Sequence, residues 1–298
     1  MRPSFIPEST STYTKKKTKA TQAWHKNGIC PNNTVAIRRI MKEDILRSNS
    51  IESFGKKITS SIPEDNPSKN HEYAIMNAMQ GTYFGTNFIV NMWKPEVQVP
   101  DEFSLAQTWL VSGAGTTRNT IEAGFQADGY QGTGCYNNAC QGFVQRSNSI
   151  PVGGTFTTVS QYDGDQSELS MLIWKDGENW WLKVGEELVG YWPGQLFNSI
   201  GNGATILQWG GEIVNRETDG KHTATDMGSG HFAEEGYKKA SYFRNLMTID
   251  ETNTLREPQG ITPQTGHDNC YNIKAGDVGT SWGVNFFYGG PGQNERCP

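Results

Sequence analysis

From His71 almost to its end, this chain is a succession of short apolar or alternating runs separated by glycine-bearing turns, and segments of helical period are nearly missing there. Tyr83–Trp93, Thr108–Ser112, Asn119–Phe125, Leu169–Trp174, Trp180–Val184, Val189–Trp192, Ala204–Val214 and Trp282–Tyr288 all read as strands. Asp176-Gly177 marks a hairpin between two of them, and Gly185-Glu186-Glu187 a second. The pattern predicts an all-β domain over residues 70–298, an antiparallel β-sandwich of two stacked, strongly curved sheets. Such domains reach this size as single units.

Residues 1–69 differ in character. The stretch containing Thr12-Tyr13-Thr14-Lys15-Lys16-Lys17-Thr18-Lys19 is polar and aperiodic and reads as a mobile arm. Ile37, Ile40, Met41, Ile45 and Ile51 recur roughly at helical spacing, which predicts a short amphipathic helix between Ile37 and Ser53. The breaker-rich run from Ser60 to Lys69, with Pro63 and Pro67, is a linker by composition. A small, partly helical N-terminal segment is therefore expected ahead of the sandwich.

Composition narrows the classes of partner. Lys plus Arg number 26 against 31 for Asp plus Glu, a formal charge of −5, so the basic footprint that phosphate neutralisation needs is missing and no nucleic-acid partner is expected. No run approaches the ~20 consecutive apolar residues of a spanning helix, so no membrane partner is expected. The opening Met1-Arg2-Pro3-Ser4-Phe5 is not a secretory leader, and taken alone it predicts a cytosolic protein. Cysteine usage argues the other way. Cys135 with Cys140 and Cys270 with Cys297 are plausible local staples among the pairings open to five cysteines, and Asn32-Asn33-Thr34 is a glycosylation sequon at Asn32. The five histidines are scattered and structural zinc spacings are missing, so no metal and no cofactor are expected. Gly228-Ser229-Gly230-His231 lacks the nucleophile elbow of serine hydrolases, and neither Gly113-Ala114-Gly115 nor Gly289-Gly290-Pro291-Gly292 completes a phosphate-binding loop.

Two strands carry a matching pattern. In Asn119–Gln126, alternation sets Ile121, Ala123 and Phe125 on one face and Thr120, Glu122, Gly124 and Gln126 on the other. In Leu207–Ile213 it sets Leu207, Trp209, Gly211 and Ile213 against Gln208, Gly210 and Glu212. Each glutamate thus shares its face with a glycine and a glutamine. A solvated strand glutamate needs no explanation. A mid-strand glycine, however, marks a close backbone approach, and a peptide lying across a groove would supply one. Two converging carboxyls can hold one proton between them, so one could take a proton from water while the other stabilises the oxyanion and protonates the leaving group. Amide and glycoside hydrolysis both fit such a pair.

At these residues the chain resembles the neprosin family of plant glutamic endopeptidases, which cleave next to proline. The motifs run in order through His71-Glu72-Tyr73-Ala74, Glu102-Phe103-Ser104-Leu105, Ile121-Glu122-Ala123-Gly124, Thr133-Gly134-Cys135-Tyr136-Asn137 and Gly142-Phe143-Val144-Gln145. They continue through Trp180-Trp181-Leu182, Val189-Gly190-Tyr191-Trp192-Pro193, Trp209-Gly210-Gly211-Glu212, His222-Thr223, Met227-Gly228-Ser229-Gly230-His231-Phe232, Ala240-Ser241-Tyr242, Cys270-Tyr271 and Gly289-Gly290-Pro291-Gly292. Met1–Phe5, Cys30-Pro31, Ile37-Arg38-Arg39 and Phe54-Gly55-Lys56-Lys57 resemble the inner part of the family's activation peptide. Three features depart from the family pattern: Phe125 stands where Trp is usual, the loop of residues 126–132 is short, and Asp226 stands where Gln is usual.

The resemblance implies catalytic roles for Glu122 and Glu212, with Gln126, Gln208, Phe125 and Trp209 as candidate substrate contacts. The implied partners are a proline-containing peptide or protein substrate and the chain's own N-terminal prosegment, residues 1–69, which would cover the groove until cut within the Pro63–Pro67 linker. Acid would loosen that cover by protonating carboxylates. The missing leader and unpaired Cys30 imply a chain beginning at an internal methionine, with the complete protein secreted, extracellular or vacuolar. The alternative is a catalytically silent sandwich that binds cell-wall polymer or protein, an idea prompted by Phe125 and the short loop.

Overall fold

A computed structural model describes residues 1–8, 21–42, 70–99, 102–127, 142–216, 220–276 and 281–298. The described strands, in chain order, are β1 (His71–Ala78), β2 (Gly85–Asn91), β3 (Ser104–Ser112), β4 (Asn119–Ala127), β5 (Val144–Gln145), β6 (Glu168–Asp176) and β7 (Asn179–Val184). They continue with β8 (Glu187–Trp192), β9 (Ile206–Val214), β10 (Ser241–Ile249), β11 (Leu255–Arg256), β12 (Thr262–Thr265), β13 (Asn272–Ala275) and β14 (Phe286–Gly289). Every pairing is antiparallel. One sheet has the order β12-β1-β9-β3-β4. The other runs β13-β14-β10-β2-β6-β7-β8-β5, with β11 on β10. The all-β sandwich expected from the sequence is what forms, and both hairpins fall where their glycines stand, β6 to β7 at Gly177 and β7 to β8 at Gly185.

The two sheets meet through alternate residues. Ala74, Met76, Leu110, Ile121, Leu207, Trp209 and Ile213 of the five-stranded sheet join Phe88, Val90, Met171, Ile173 and Phe243 of the larger one in a single buried cluster. Each such aliphatic side chain withdrawn from water contributes about 1.5–3 kcal/mol, so this face fixes the register of every strand that carries it. A second cluster lies on the outer side of the five-stranded sheet, formed by Tyr73, Ile75, Phe103, Leu105, Trp109, Val111 and Val214. The five-stranded sheet is therefore buried on both faces, and all nine residues of β3 are buried.

Cys270 and Cys297 form a disulfide across 27 positions, one of the two staples expected. Cys135 and Cys140 lie outside the described residues, as do most of the expected helix between Ile37 and Ser53 and the Pro63–Pro67 linker. Cys30 is a free thiol, and Asn32 is exposed. The described parts of the N-terminal segment contact the larger sheet and its rim. Phe5 packs on the Leu172–Trp174 cluster and its carbonyl accepts from the Trp174 indole at 3.2 Å. Ala23 N donates to Thr155 O, Asn148 Nδ2 to Cys30 O and Ala36 N to Ser147 O. No described helix is long and apolar enough to cross a membrane.

Candidate active site

Strand β3 separates the two glutamates and sets their relation. Glu122 on β4 lies opposite Trp109, and across β3 from it lies Gln208 of β9. Gln126 of β4 lies opposite Leu105, and across β3 from it lies Glu212. Between these rows sits Gln107, flanked by Gly124 on one side and Gly210 on the other. Because β4 and β9 both run antiparallel to β3, their matching patterns align in parallel, and each glutamate faces the other strand's glutamine. All of these residues share the outer face of the sheet, as the two-residue period requires.

Glu122 and Glu212 are two strands and four residues apart, about 10 Å across and about 13 Å along on a flat sheet. That diagonal, roughly 16 Å between Cα atoms, exceeds two glutamate side chains laid end to end. In this register the pair brackets a common centre, occupied by Gln107.

Each carboxylate has its own partners. Glu212 is buried at 1% exposure. Its Oε1 lies 2.5 Å from His71 Nδ1 and accepts from the Tyr73 hydroxyl at 3.0 Å. Both partners come from β1, where Tyr73 stands directly opposite Glu212. Half-buried Glu122 accepts from Gln107 Nε2 at 3.0 Å and from Thr120 Oγ1 at 3.1 Å. Gln208 is fully buried and donates to Asn77 Oδ1 at 2.7 Å, while its own Oε1 has no partner. The Trp109 indole N–H, in the same cross-strand row, is also buried without a partner. An orphaned donor and an orphaned acceptor in one cross-strand row are costly to bury, and a peptide backbone offers groups that could satisfy each.

The glycines have a different cause from the one expected. A Cβ on Gly124 would stand 2.1 Å from Ala106 O, and one on Gly210, at φ +153°, would stand 2.2 Å from Ala74 O. The close backbones are thus the neighbouring strands β3 and β1, and no substrate backbone is needed to explain these glycines.

Two proposed substrate contacts belong elsewhere. Trp209 is fully buried on the inner face, where its indole donates to Thr86 Oγ1 of β2 at 3.0 Å. Phe125 packs against the same inner cluster. Both follow from alternation, since each is one residue out of phase with the outer face. Gln126 and Gln208 do lie on that face. Sequence reasoning missed Gln107, His71 and Tyr73, whose roles arise only through cross-strand pairing.

The histidines scattered in sequence are partly gathered by the fold. His222 Nε2 lies 2.9 Å from Glu72 Oε1, and His267 Nδ1 lies 2.8 Å from Glu72 Oε2. Burial pushes the Glu72 carboxyl up, but its bonds and charge interactions with the two histidines outweigh this and hold it below its ordinary value. Burial pushes His222 down, and the Glu72 hydrogen bond, the Thr223 carbonyl and the Glu72 and Glu102 charges together raise it above the usual histidine range. This is the group of described residues best suited to hold a cation.

Among solved structures, one of SCP-B, a member of the eqolisin family of peptidases in a complex with the tripeptide Ala-Ile-His, aligns over 74% of this chain and 98% of its own, with 10% identity and a TM-score of 0.42. The family profile described as Neprosin matches residues 100–291, a span that contains both glutamates and their glutamines. The profile described as Neprosin activation peptide matches residues 1–77. The chain belongs to the neprosin family and carries that family's activation-peptide region.

Proposed function

We propose that this protein is the zymogen of a glutamic endopeptidase that hydrolyses peptide bonds next to proline at acidic pH. The observation that carries the reading is the register that sets Glu122 and Glu212 on one face, on either side of Gln107. A peptide crossing that face would place its scissile carbonyl near Gln107, with a water between it and one carboxylate. One glutamate takes the proton from that water as it attacks, and the other, protonated, delivers a proton to the departing amine. Carboxyls held well apart leave room for such a water, as in inverting glycosidases. The second N–H of Gln107 Nε2, the first being bound to Glu122, is free to donate to the developing oxyanion. The unpartnered Trp109 N–H and Gln208 carbonyl are suited to bind the substrate backbone. Preference for proline comes from the family resemblance.

In this reading the activation-peptide region keeps the enzyme latent. β1 is an inner strand, paired with β9 and β12, and it supplies His71 and Tyr73 to Glu212. Processing therefore falls before His71, within the linker of residues 60–69. The Cys270–Cys297 disulfide favours an oxidising compartment, hence secretion.

The test is to acidify the protein, confirm removal of the N-terminal segment, and offer a proline-containing peptide and a cell-wall polysaccharide in parallel. Mass spectrometry should find the peptide cut beside proline and the polysaccharide intact. No cleavage by the fully processed protein would favour a silent binding sandwich, and cut polysaccharide would favour a glycosidase.

A further inference from the structure

At the far end of the five-stranded sheet's inner face, β1 begins beside two loops that carry His222 and His267. We propose that Glu72, His222 and His267 form a binding site for a divalent transition cation of the zinc class. The proposal is independent of the peptidase reading.

The donor atoms are already gathered. The ligand atoms of Glu72, His222 and His267 lie within 4.8 Å of one another, although 150 and 195 positions separate the histidines from Glu72. The orientation of His222 is fixed by its other nitrogen. Nδ1 lies 2.8 Å from the Thr223 carbonyl, which can only accept, so Nδ1 keeps its proton, and Nε2, which donates to Glu72 when no cation is bound, is the atom a cation would take over. Metal-ligating histidines are commonly oriented in this way, one nitrogen held by a backbone carbonyl and the other given to the metal. Asn215 Nδ2 donates to Glu72 Oε1 at 3.2 Å and orients the carboxylate in turn.

Access and chemistry agree with this. Glu72 and His222 are buried, whereas His267 is exposed and stands with His222 in the wall of an open cavity of about 570 Å³. A cation entering from solvent would meet His267 first and would keep room for water in the remaining position. Two imidazoles and one carboxylate suit zinc and its neighbours, whereas calcium and magnesium require an oxygen cage. Cys270 also borders the cluster, but its sulfur is bonded to Cys297 and offers no thiolate.

The consequence reaches the glutamate face. Glu72 alternates with His71 and Tyr73 along β1, so a cation on Glu72 would pin the backbone from which both partners of Glu212 project.

The experiment titrates tag-free full chain, stripped with chelator at neutral pH, with Co²⁺ as a spectroscopic stand-in for Zn²⁺. The expected result is one equivalent of Co²⁺ with visible ligand-field bands that Zn²⁺ abolishes. His267→Ala and Glu72→Gln should each weaken binding by at least ~10-fold. His231→Ala, whose ring pairs with Glu235 elsewhere, should leave binding unchanged. Because His267 is exposed, its substitution tests the site without disturbing the core. Absence of the bands in the unsubstituted protein, or their survival in His267→Ala, would overturn the proposal.

Discussion

The Tyr73 hydroxyl donates a 3.0 Å hydrogen bond to Glu212 Oε1 from the strand directly opposite, so one end of the proposed catalytic pair is set by β1. Tyr73→Phe removes that donor and leaves the buried carboxylate to His71. A hydrogen bond to a charged group is worth about 1.5–3 kcal/mol. If the bond matters to the reacting state, kcat falls about 10- to 100-fold with KM little changed. Steady-state kinetics of the processed enzyme, with a thermal melt alongside, would separate lost positioning from lost folding.

Gly124 has no room for a side chain, since Ala106 O and the Gln107 backbone crowd its Cβ position. Gly124→Ala should therefore destabilise by about 1–3 kcal/mol through displacement of β3. Gly210→Ala should do at least as much, because its backbone also lies in a conformation that L side chains rarely adopt. Denaturant midpoints measure both, and unchanged midpoints would mean that the strands separate more easily than their packing indicates.

Asp226 is tied to Glu96 twice: its Oδ2 accepts from Glu96 N at 3.1 Å, and its own N donates to Glu96 O at 2.8 Å. Burial pushes its carboxyl above the ordinary 3.8, and the Glu96 charge adds to this against the opposing Glu96 N–H bond and His231. A folded-state value above the unfolded one gives stability that is complete below pH 3.8 and is lost as pH rises through the raised value. Asp226→Asn keeps an acceptor for the Glu96 N–H without the charge. Its melting temperature should exceed that of the parent at neutral pH and converge with it below pH 3.8, as thermal melts across pH would reveal.

Alternation made the inner face of β4, β6 and β9 legible, because one buried face imposes a two-residue period. It also placed Glu122 beside Gln126 and Glu212 beside Gln208. β1 was not legible as a strand, because it is buried on both faces and alternation is therefore blurred. The polar first half of β3, Ser104–Gln107, was missed for a related reason: its polar groups lie on a sheet covered on both sides. Trp209 was misread as a groove residue on its chemistry, when its position one residue from Gln208 already put it inside. Gln107 carries no local mark; its importance comes from two flanking glycines contributed by other strands. The Glu72–His222–His267 cluster joins three distant segments, and spacing rules detect only ligands near one another in sequence.

The most direct test of the account compares the processed parent enzyme with Glu122→Gln and Glu212→Gln on one proline-containing peptide at acidic pH, each variant checked for a native melt. Each substitution alone should abolish cleavage to within the detection limit, because water activation and leaving-group protonation are assigned to different carboxyls. Cleavage at the parent rate by either folded variant would contradict it.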